Sequence, residues 1–134
     1  MNILDAFQGY HHIAFAFEDQ EKTSSIALEG NYHYTVKPFV LKNARATYQR
    51  MITRMFKDQI RKIVEVYIND MVVKTKKNEG HVRDLVKVFE ILRQHKLFVN
   101  VDKCAFGVGS GKFLGYMIAT RGIEVNSDQI TAIQ

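Results

Sequence analysis

The sequence predicts an α+β fold, in which an antiparallel sheet carries two long helices packed on one face. Pairs of β-favouring runs separated by short polar turns indicate antiparallel hairpins. Two longer segments place apolar residues at helical spacing, which indicates amphipathic helices. The chain has 134 residues, of which 46% are hydrophobic and 25% charged. This composition, without an internal repeat, is typical of a single globular domain over residues 1–134.

The first part of the chain is predicted to form short strands. Ile3-Leu4 is an apolar run that ends at Asp5. Two β-favouring runs follow, from Lys22 to Ala27 and from Tyr32 to Val36. Because Glu29-Gly30-Asn31 lies between these two runs, we expect them to pair as a hairpin.

The two helices are predicted from apolar residues that recur on one helical face. In the first helix these residues are Ala44, Tyr48, Met51, Ile52, Met55 and Phe56. In the second they are Val82, Leu85, Val86, Phe89 and Leu92. The segment of the first helix also carries a row of cations, namely Arg45, Arg50, Arg54, Lys57 and Arg61.

A second hairpin is predicted between the helices. Ile63–Ile68 and Met71–Val73 are strand-like runs, and only Asn69-Asp70 separates them. An Asn-Asp pair suits a tight turn, because both side chains tolerate turn backbone conformations. The prediction therefore places both polar residues in the turn.

The last third of the chain is predicted to contain short strands at Leu97–Val101, Phe113–Ile118 and Ile123–Val125. The glycine-rich segment Gly107–Lys112 has the wrong spacing for a phosphate-binding loop, so we expect a turn between strands. Asn126-Ser127-Asp128 is typical of a helix N-cap, close to the end of the chain. We therefore expect the chain to be part of a larger domain.

Charge and cysteine content limit the possible function classes. Nineteen Lys and Arg against fourteen Asp and Glu give a net charge of +5, which suits a polyanionic partner without requiring one. Cys104 is the only cysteine, which excludes an intrachain disulfide and favours a reducing intracellular compartment, cytoplasmic or nuclear. No apolar stretch approaches the ~20 residues that span a bilayer, so no membrane association is expected.

Carboxylates near strand ends are candidate metal ligands. Asp5, Asn69 and Asp70 each follow a β run, and rigid strands can fix oxygen ligands at the spacing that Mg²⁺ needs for phosphoryl transfer. An ordinary hairpin turn explains the Asn-Asp pair equally simply. Spacing alone therefore leaves both interpretations open.

Five motifs resemble those of gypsy-type retrotransposon reverse transcriptases, in the same order. Leu4–Ile13 resembles the first aspartate motif of that family, and Lys37–Gln49 resembles its Pro-Phe-Gly-Leu-x-Asn-Ala-x-x-Thr-Phe-Gln block. Tyr67-Ile68-Asn69-Asp70 stands where the family has Tyr-x-Asp-Asp. Asn100–Phe106 and Phe113–Tyr116 resemble the last motifs of the family's palm. Together the motifs extend over nearly the whole chain.

The resemblance implies the palm of an RNA-directed DNA polymerase, with a partial fingers hairpin at about residues 22–36. It implies that Asp5 and Asp70 bind two Mg²⁺ ions and that Lys103 lies near the leaving pyrophosphate. The implied substrates are a deoxynucleoside triphosphate and a primer–template nucleic acid. The implied nucleotide pocket consists of Tyr10 under the sugar, Phe39, Val40 and Leu41 along the wall, and Gln49 beneath. For Arg45, Arg50, Arg54 and Lys74, phosphate contact and simple solvation both remain open.

Several departures from the family argue against activity. Asn69 replaces a metal-binding aspartate, and losing one charged ligand should slow the reaction on the order of 10³-fold or more. Val40 replaces a glycine and should narrow the pocket, Arg45 replaces a small residue or proline, and His12 replaces glutamine. The upstream fingers, the thumb and a ribonuclease H domain lie outside the chain.

The sequence therefore predicts a polymerase that is inactive or severely impaired. The alternative is a non-catalytic retrotransposon remnant that acts at most as a weak nucleic-acid-binding or interaction domain. A zinc site built from His11, His12, His33 and Cys104 is disfavoured, because their spacing matches no recognised ligand pattern. Oligomeric state and template preference have no signature in the sequence.

Overall fold

The computed structural model describes residues 1–7, 9–75, 80–119 and 122–124. The helices in these ranges are α1 (Phe17–Gln20), α2 (Ala44–Met55) and α3 (His81–Gln94). The strands are β1 (Asn2–Phe7), β2 (Ser25–Ala27), β3 (Gly30–Tyr32), β4 (Val64–Tyr67), β5 (Asp70–Val73), β6 (Phe98–Val99), β7 (Ser110–Phe113), β8 (Tyr116–Ala119) and β9 (Gly122–Glu124). Short 3₁₀ turns cover Gly9–His12, Glu21–Thr23 and Val101–Lys103.

The central sheet has the strand order β4-β5-β1-β6, and every neighbouring pair is antiparallel. Successive side chains of a strand point to opposite faces of a sheet. Along β1, Leu4 and Ala6 are buried, whereas Ile3 and Asp5 are only half-buried. One face of the sheet is therefore covered and the other is open.

Helices α2 and α3 cover the buried face. Tyr48 and Ile52 of α2, and Val88 and Leu92 of α3, belong to the same core cluster as Leu4 of β1. These residues recur at three- and four-residue spacing, which places them on one side of each helix. The predicted α+β fold, with two long helices on one sheet face, is confirmed. Among the described residues, no helix is long and apolar enough to cross a membrane.

The hairpin predicted at residues 22–36 is present, with shorter strands than expected. Ser25 pairs with Tyr32, and Ala27 pairs with Gly30. Gly30 and Asn31 therefore lie in β3 and not in the turn, which falls at residues 28–29. All residues of both strands are exposed, so no burial of apolar side chains stabilises a longer hairpin.

Two predictions for the last part of the chain were wrong. The strand expected at Phe113–Ile118 is interrupted by a turn at Leu114-Gly115, so that Phe113 pairs with Tyr116. Both turn residues have positive φ values, 53° and 82°, as a tight hairpin turn between twisted strands requires. The glycine-rich turn is also shorter than expected, because Ser110–Lys112 lies within β7. The predicted N-cap at residues 126–128 and the helix after it lie outside the described residues.

A chain of hydrogen bonds joins β1 to α3 on the buried side. The Gly107 N–H donates to Asn2 Oδ1 over 2.7 Å, so the Asn2 amide nitrogen is left to donate to His81 Nε2 at 2.9 Å. His81 then carries its proton on Nδ1 and donates to Thr75 Oγ1 at 3.1 Å, and Thr75 donates to Asp84 at 3.0 Å. In this series of hydrogen bonds each donor meets an acceptor, which explains how buried Asn2 and Asp84 are tolerated.

Candidate active site on the open sheet face

Two carboxylates face each other on the open side of the central sheet. Asp5 of β1 and Asp70 of β5 are direct cross-strand partners. Residues directly opposite each other in an antiparallel pair present their side chains on the same face, with Cβ atoms about 4.5–5.5 Å apart. Asp5 lies in the middle of β1 and Asp70 begins β5, so the prediction that Asp5 ends its strand was wrong.

The turn of the central hairpin is Ile68-Asn69, one residue earlier than predicted. Tyr67 pairs with Asp70, which leaves Ile68 at the first turn position with a φ of 53°. A β-branched residue in this left-handed region costs on the order of 1–3 kcal/mol, and only surrounding contacts can hold it there. The one-residue shift moves Asp70 out of the turn and places it opposite Asp5.

Gln49 holds this turn from the side of helix α2. Its side-chain oxygen accepts a hydrogen bond from the Ile68 N–H, and its amide nitrogen donates to the Val66 carbonyl at 3.2 Å. The side chain predicted to lie beneath the nucleotide pocket is thus bound to the backbone of the hairpin. It fixes the conformation that presents Asp70 to Asp5.

Lys103 is brought to the same carboxylates by the 3₁₀ turn after β6. The Asn100 N–H donates to the Asp5 carbonyl at 2.8 Å, and the Asn100 side chain caps the turn by accepting from the Asp102 N–H at 3.2 Å. Burial raises the pKa of Asp70 above its usual value, and the nearby charge of Asp5 raises it further, whereas Lys103 lowers it. The structure therefore brings Asp5, Asp70 and Lys103 within electrostatic reach of one another.

Replacing Asp70 with asparagine should make the protein more stable near pH 7. The pKa of Asp70 is raised in the folded state, so ionisation of Asp70 favours the unfolded state. The free energy of unfolding that protonated Asp70 contributes at low pH is therefore lost as the pH rises through the folded-state pKa. The gain in the free energy of unfolding should stay below about 1 kcal/mol, because solvent screens this partly exposed pair. The gain should vanish at a pH of about 3, where Asp70 of the parent protein is protonated in both the folded and the unfolded state.

Urea unfolding of both proteins at several pH values measures this difference. The matched control is Asp58→Asn, since Asp58 is exposed and distant in sequence from the carboxylate pair. An equal gain in both variants would show that net charge, and not the pairing of Asp5 with Asp70, is responsible.

Tyr48 and Gly9 form a close-packed floor next to the carboxylates. Tyr48 is fully buried, and its ring lies 4.9 Å from that of Tyr10 between centroids. A Cβ atom on Gly9 would collide with the Tyr48 ring and hydroxyl, so only glycine fits there. Burial raises the pKa of Tyr48 well above its usual value, and Tyr10 and Asp5 raise it further. Tyr10 thus rests on a rigid support, at the position predicted to lie under a nucleotide sugar.

Removing the Tyr48 hydroxyl should stabilise the protein. This buried oxygen has no hydrogen-bond partner among the described residues, and such a group costs about 1–3 kcal/mol relative to its hydrated state. We expect Tyr48→Phe to raise the free energy of unfolding by about 1 kcal/mol, since the ring contacts are kept. Urea denaturation checks this, with exposed Tyr34→Phe as control. A loss of stability would show that the hydroxyl is hydrogen-bonded in solution.

A cavity of about 400 Å³ opens at the turn of the central hairpin. It is lined by Tyr10, His11, Phe39, Arg45 and Asn69. Tyr10 and Phe39, both predicted for the nucleotide pocket, therefore lie at the same cavity. The sequence assigned Arg45 to nucleic acid and gave His11 no binding role. The position of His11 next to Tyr10 in the first motif was the available signal that it could lie at this cavity.

Val40 and Leu41 contribute less to this cavity than predicted. Val40 is exposed and Leu41 is half-buried, and neither is among the residues that line it. The φ of Val40 is not positive, so its branched side chain meets no backbone strain. The replacement of glycine at this position therefore has no visible structural cost.

The oxygen ligands at the hairpin suit a divalent cation. The side-chain oxygen of Asn69 is buried and has no hydrogen-bond partner among the described residues. Together with the carboxylates of Asp5 and Asp70 it makes an all-oxygen set, as hard cations such as Mg²⁺ prefer. No group of three or more His, Cys, Asp or Glu that could hold a metal occurs in the described ranges. The set thus fits a divalent cation but carries only two charged ligands.

The four cations assigned to nucleic acid do not share one surface. Arg45 faces the cavity next to Asn69, whereas Arg50 and Arg54 line a different cavity along α2. Lys74 is ion-paired with Glu65 at 2.7 Å. Helical geometry accounts for this division, because Arg45 lies about 180° around α2 from Arg54, whereas Arg50 lies within about 40° of Arg54.

Comparison with known proteins gives a consistent result. Residues 1–118 match the family described as reverse transcriptase (RNA-dependent DNA polymerase). The chain is 33% identical over 131 residues to the retrovirus-related Pol polyprotein from transposon gypsy of Drosophila melanogaster, covering 98% of this chain and 13% of that protein. It is 35% identical over 130 residues to the Pol polyprotein from transposon opus of the same species, with coverage of 97% and 13%.

The fold also matches solved structures. The foamy viral protease-reverse transcriptase in complex with an RNA/DNA hybrid superposes with a TM-score of 0.86 at 24% identity, covering 99% of this chain and 18% of that one. A form of the same viral protein bound to double-stranded DNA gives a TM-score of 0.88 at 23% identity, with coverage of 99% and 23%. Both similarities concern the fold. The chain thus spans a small part of the length of the proteins it resembles.

Proposed function

The chain belongs to the reverse transcriptase family, and on that premise we propose that residues 1–134 are the palm portion of an RNA-directed DNA polymerase whose nucleotidyl-transfer site is severely impaired. The observation that carries this proposal is the direct cross-strand pairing of Asp5 with Asp70, beside Lys103. The hairpin at residues 25–32 would be part of the fingers. The two Pol polyproteins that the chain resembles are much longer, and the chain covers 13% of each.

The proposed reaction joins a deoxynucleoside triphosphate to a primer 3′-hydroxyl. Reverse transcriptases use divalent metal ions, which here would be held by Asp5 and Asp70 and would supply Lewis acidity at the transferred phosphate. The 3′-hydroxyl attacks the α-phosphate, and pyrophosphate leaves. Lys103 offsets the negative charge that develops on the leaving group, because a fixed cation needs little reorganisation during the reaction.

The cavity at the turn of the central hairpin would orient the nucleotide. Tyr10 and Phe39 offer flat apolar surfaces to the sugar and base, and Arg45 offers a cation to the triphosphate. Gln49 has a positioning role, because it holds the turn that presents Asp70. None of these groups can replace the negative charge that an aspartate at position 69 would supply.

Asn69 is the reason to expect impairment. With two carboxylates, the site would offer divalent cations one negative charge fewer than three carboxylates would provide. A loss on the order of 10³-fold or more in rate corresponds to about 4 kcal/mol of transition-state stabilisation. This deficit supports the second candidate, a non-catalytic remnant that binds nucleic acid weakly through its net charge of +5.

Primer extension separates the two candidates. The assay uses a primer–template, all four deoxynucleoside triphosphates and either Mg²⁺ or Mn²⁺, with Asp5→Ala as matched control. Slow extension above that of Asp5→Ala supports an impaired polymerase. Extension equal to that of the control in both metals supports the non-catalytic remnant.

A further inference from the structure

Two adjoining cavities form a continuous groove on the helix side of the molecule. Each has a volume of about 640 Å³, and His12 and Leu97 line both. The first cavity runs along α2 past Arg50 and Arg54, and the second runs along the end of α3 past Arg93. We call this feature the helix-side groove. It differs from the cavity at Tyr10 and Asn69, with which it shares no lining residue.

The groove combines a cationic rim with an apolar floor. Its rim carries Arg50, Arg54, Arg93, Lys96, His12 and His95, all of them exposed. No acidic residue lines either cavity, and none of the four Arg and Lys side chains forms an ion pair with another described residue. The floor consists of apolar side chains, including Met51, Met55, Leu92, Leu97 and Phe89. A groove of this kind is complementary to a ligand with repeated negative charges and flat apolar groups.

The end of α3 places a cation and an aromatic ring at one end of the groove. Lys96 adopts a φ of 56° directly after the helix, and the Leu97 N–H donates to the Leu92 carbonyl at 2.9 Å. This geometry returns Leu97 to the core and leads the chain into β6. Phe98 follows with 67% of its surface exposed.

Phe98 also connects the groove to the open face of the sheet. Phe98 is the direct cross-strand partner of Phe7, and Phe7 lies two residues after Asp5 on β1. Since residues two apart on a strand share a face, the Phe98 ring lies on the side that carries Asp5. A strand in the groove would therefore leave it toward the carboxylates.

We propose that the helix-side groove binds single-stranded nucleic acid. The arginines and Lys96 contact successive phosphates, and a base stacks on Phe98. Single strands are favoured over duplexes because their bases are free to stack on aromatic and apolar surfaces while the phosphates meet the cations. The proposal is independent of catalysis, since the groove contains neither carboxylate of the candidate active site.

Fluorescence anisotropy with a labelled oligothymidylate of about eight nucleotides tests the proposal. The titrations are made with the full chain in EDTA, so that divalent-metal binding plays no part. We expect Arg54→Glu and Arg93→Glu each to weaken binding about fivefold or more. Each should also reduce the slope of log affinity against log salt by about 0.7 for every phosphate that the variant no longer neutralises. Phe98→Ala should weaken binding about fivefold without changing that slope.

The matched control is Lys87→Glu, which makes the same charge change at an exposed position of α3 outside the groove. We expect it to change affinity less than about twofold. Equal weakening by Lys87→Glu and Arg93→Glu would overturn the proposal, because binding would then follow net charge alone. Competition by polyglutamate as strong as by unlabelled oligothymidylate, with no effect of Phe98→Ala, would also overturn it and indicate an acidic protein partner.

Failure of this proposal and failure of the proposed polymerase site are distinguishable. The groove variants leave Asp5, Asp70 and Asn69 intact, so metal binding and primer extension report on the carboxylate site separately. Circular dichroism confirms folding of each variant; because the substituted side chains are exposed, their unfolding midpoints should match that of the parent.

Discussion

Replacing Asn69 with aspartate should raise the affinity of the protein for Mg²⁺ or Mn²⁺ by at least about tenfold, or about 1.4 kcal/mol. The side-chain oxygen of Asn69 is buried without a partner among the described residues, and Asn69 directly precedes Asp70 at the central turn, so an aspartate there adds a negative charge to the candidate ligand set. If the remaining polymerase parts are supplied, extension should rise on the order of 10³-fold.

Metal-dependent stability provides a readout that does not need activity. Without metal, a third carboxylate repels Asp5 and Asp70, so Asn69→Asp should melt at a lower temperature than the parent. Added Mn²⁺ should reverse this loss, because a ligand that binds only the folded state stabilises it in proportion to the logarithm of its concentration. Asn31→Asp in the exposed β3 strand is the control, for which no metal response is expected. A melting temperature of Asn69→Asp that ignores Mn²⁺ would contradict the placement of this site.

Replacing Gly9 with alanine should destabilise the protein by about 3 kcal/mol. The added Cβ collides with the Tyr48 ring and hydroxyl, and Tyr48 is fully buried beneath the sheet, so its ring has no free space into which to move. The backbone at Gly9 must then shift, and Tyr10 shifts with it. Affinity for a deoxynucleoside triphosphate, the proposed substrate, should fall together with stability, since Tyr10 lines the cavity at Asn69.

Gly109→Ala is a closely matched comparison for this substitution. No atom lies within 4 Å of a Cβ placed on Gly109, and its φ is not positive. The free energy of unfolding should change by no more than about 0.5 kcal/mol. Urea denaturation of both variants measures the difference. Equal effects would mean that contact with Tyr48 is not what makes glycine necessary at position 9.

The position of Gln49 links the fold to the candidate site. Its two hydrogen bonds hold Ile68 in a strained turn conformation, and that turn sets the register in which Asp70 faces Asp5. A helix on the covered face of the sheet thereby determines the geometry of carboxylates on the open face. Residues that are not themselves candidate metal ligands can therefore alter the geometry of the two carboxylates.

The sequence by itself determined the fold class, the two long helices and the presence of both hairpins. Hydrophobic periodicity is a local property of the chain, and it indicated the correct buried faces, which carry Tyr48 and Ile52 in α2 and Leu92 in α3. Motif resemblance then identified the family, which residues 1–118 match. The local signal was weakest at the turns, where the strand boundaries at Ile68 and Leu114 were misplaced.

Only the tertiary structure decided the register and the surfaces. A shift of one residue at the central turn moves Asp70 from the turn into β5, and contacts with Gln49 from a separate helix fix that shift. Likewise, only the packing of the two helices brings Arg54 of α2 and Arg93 of α3 to adjoining cavities. Such outcomes depend on contacts between residues distant in sequence, which local patterns do not contain.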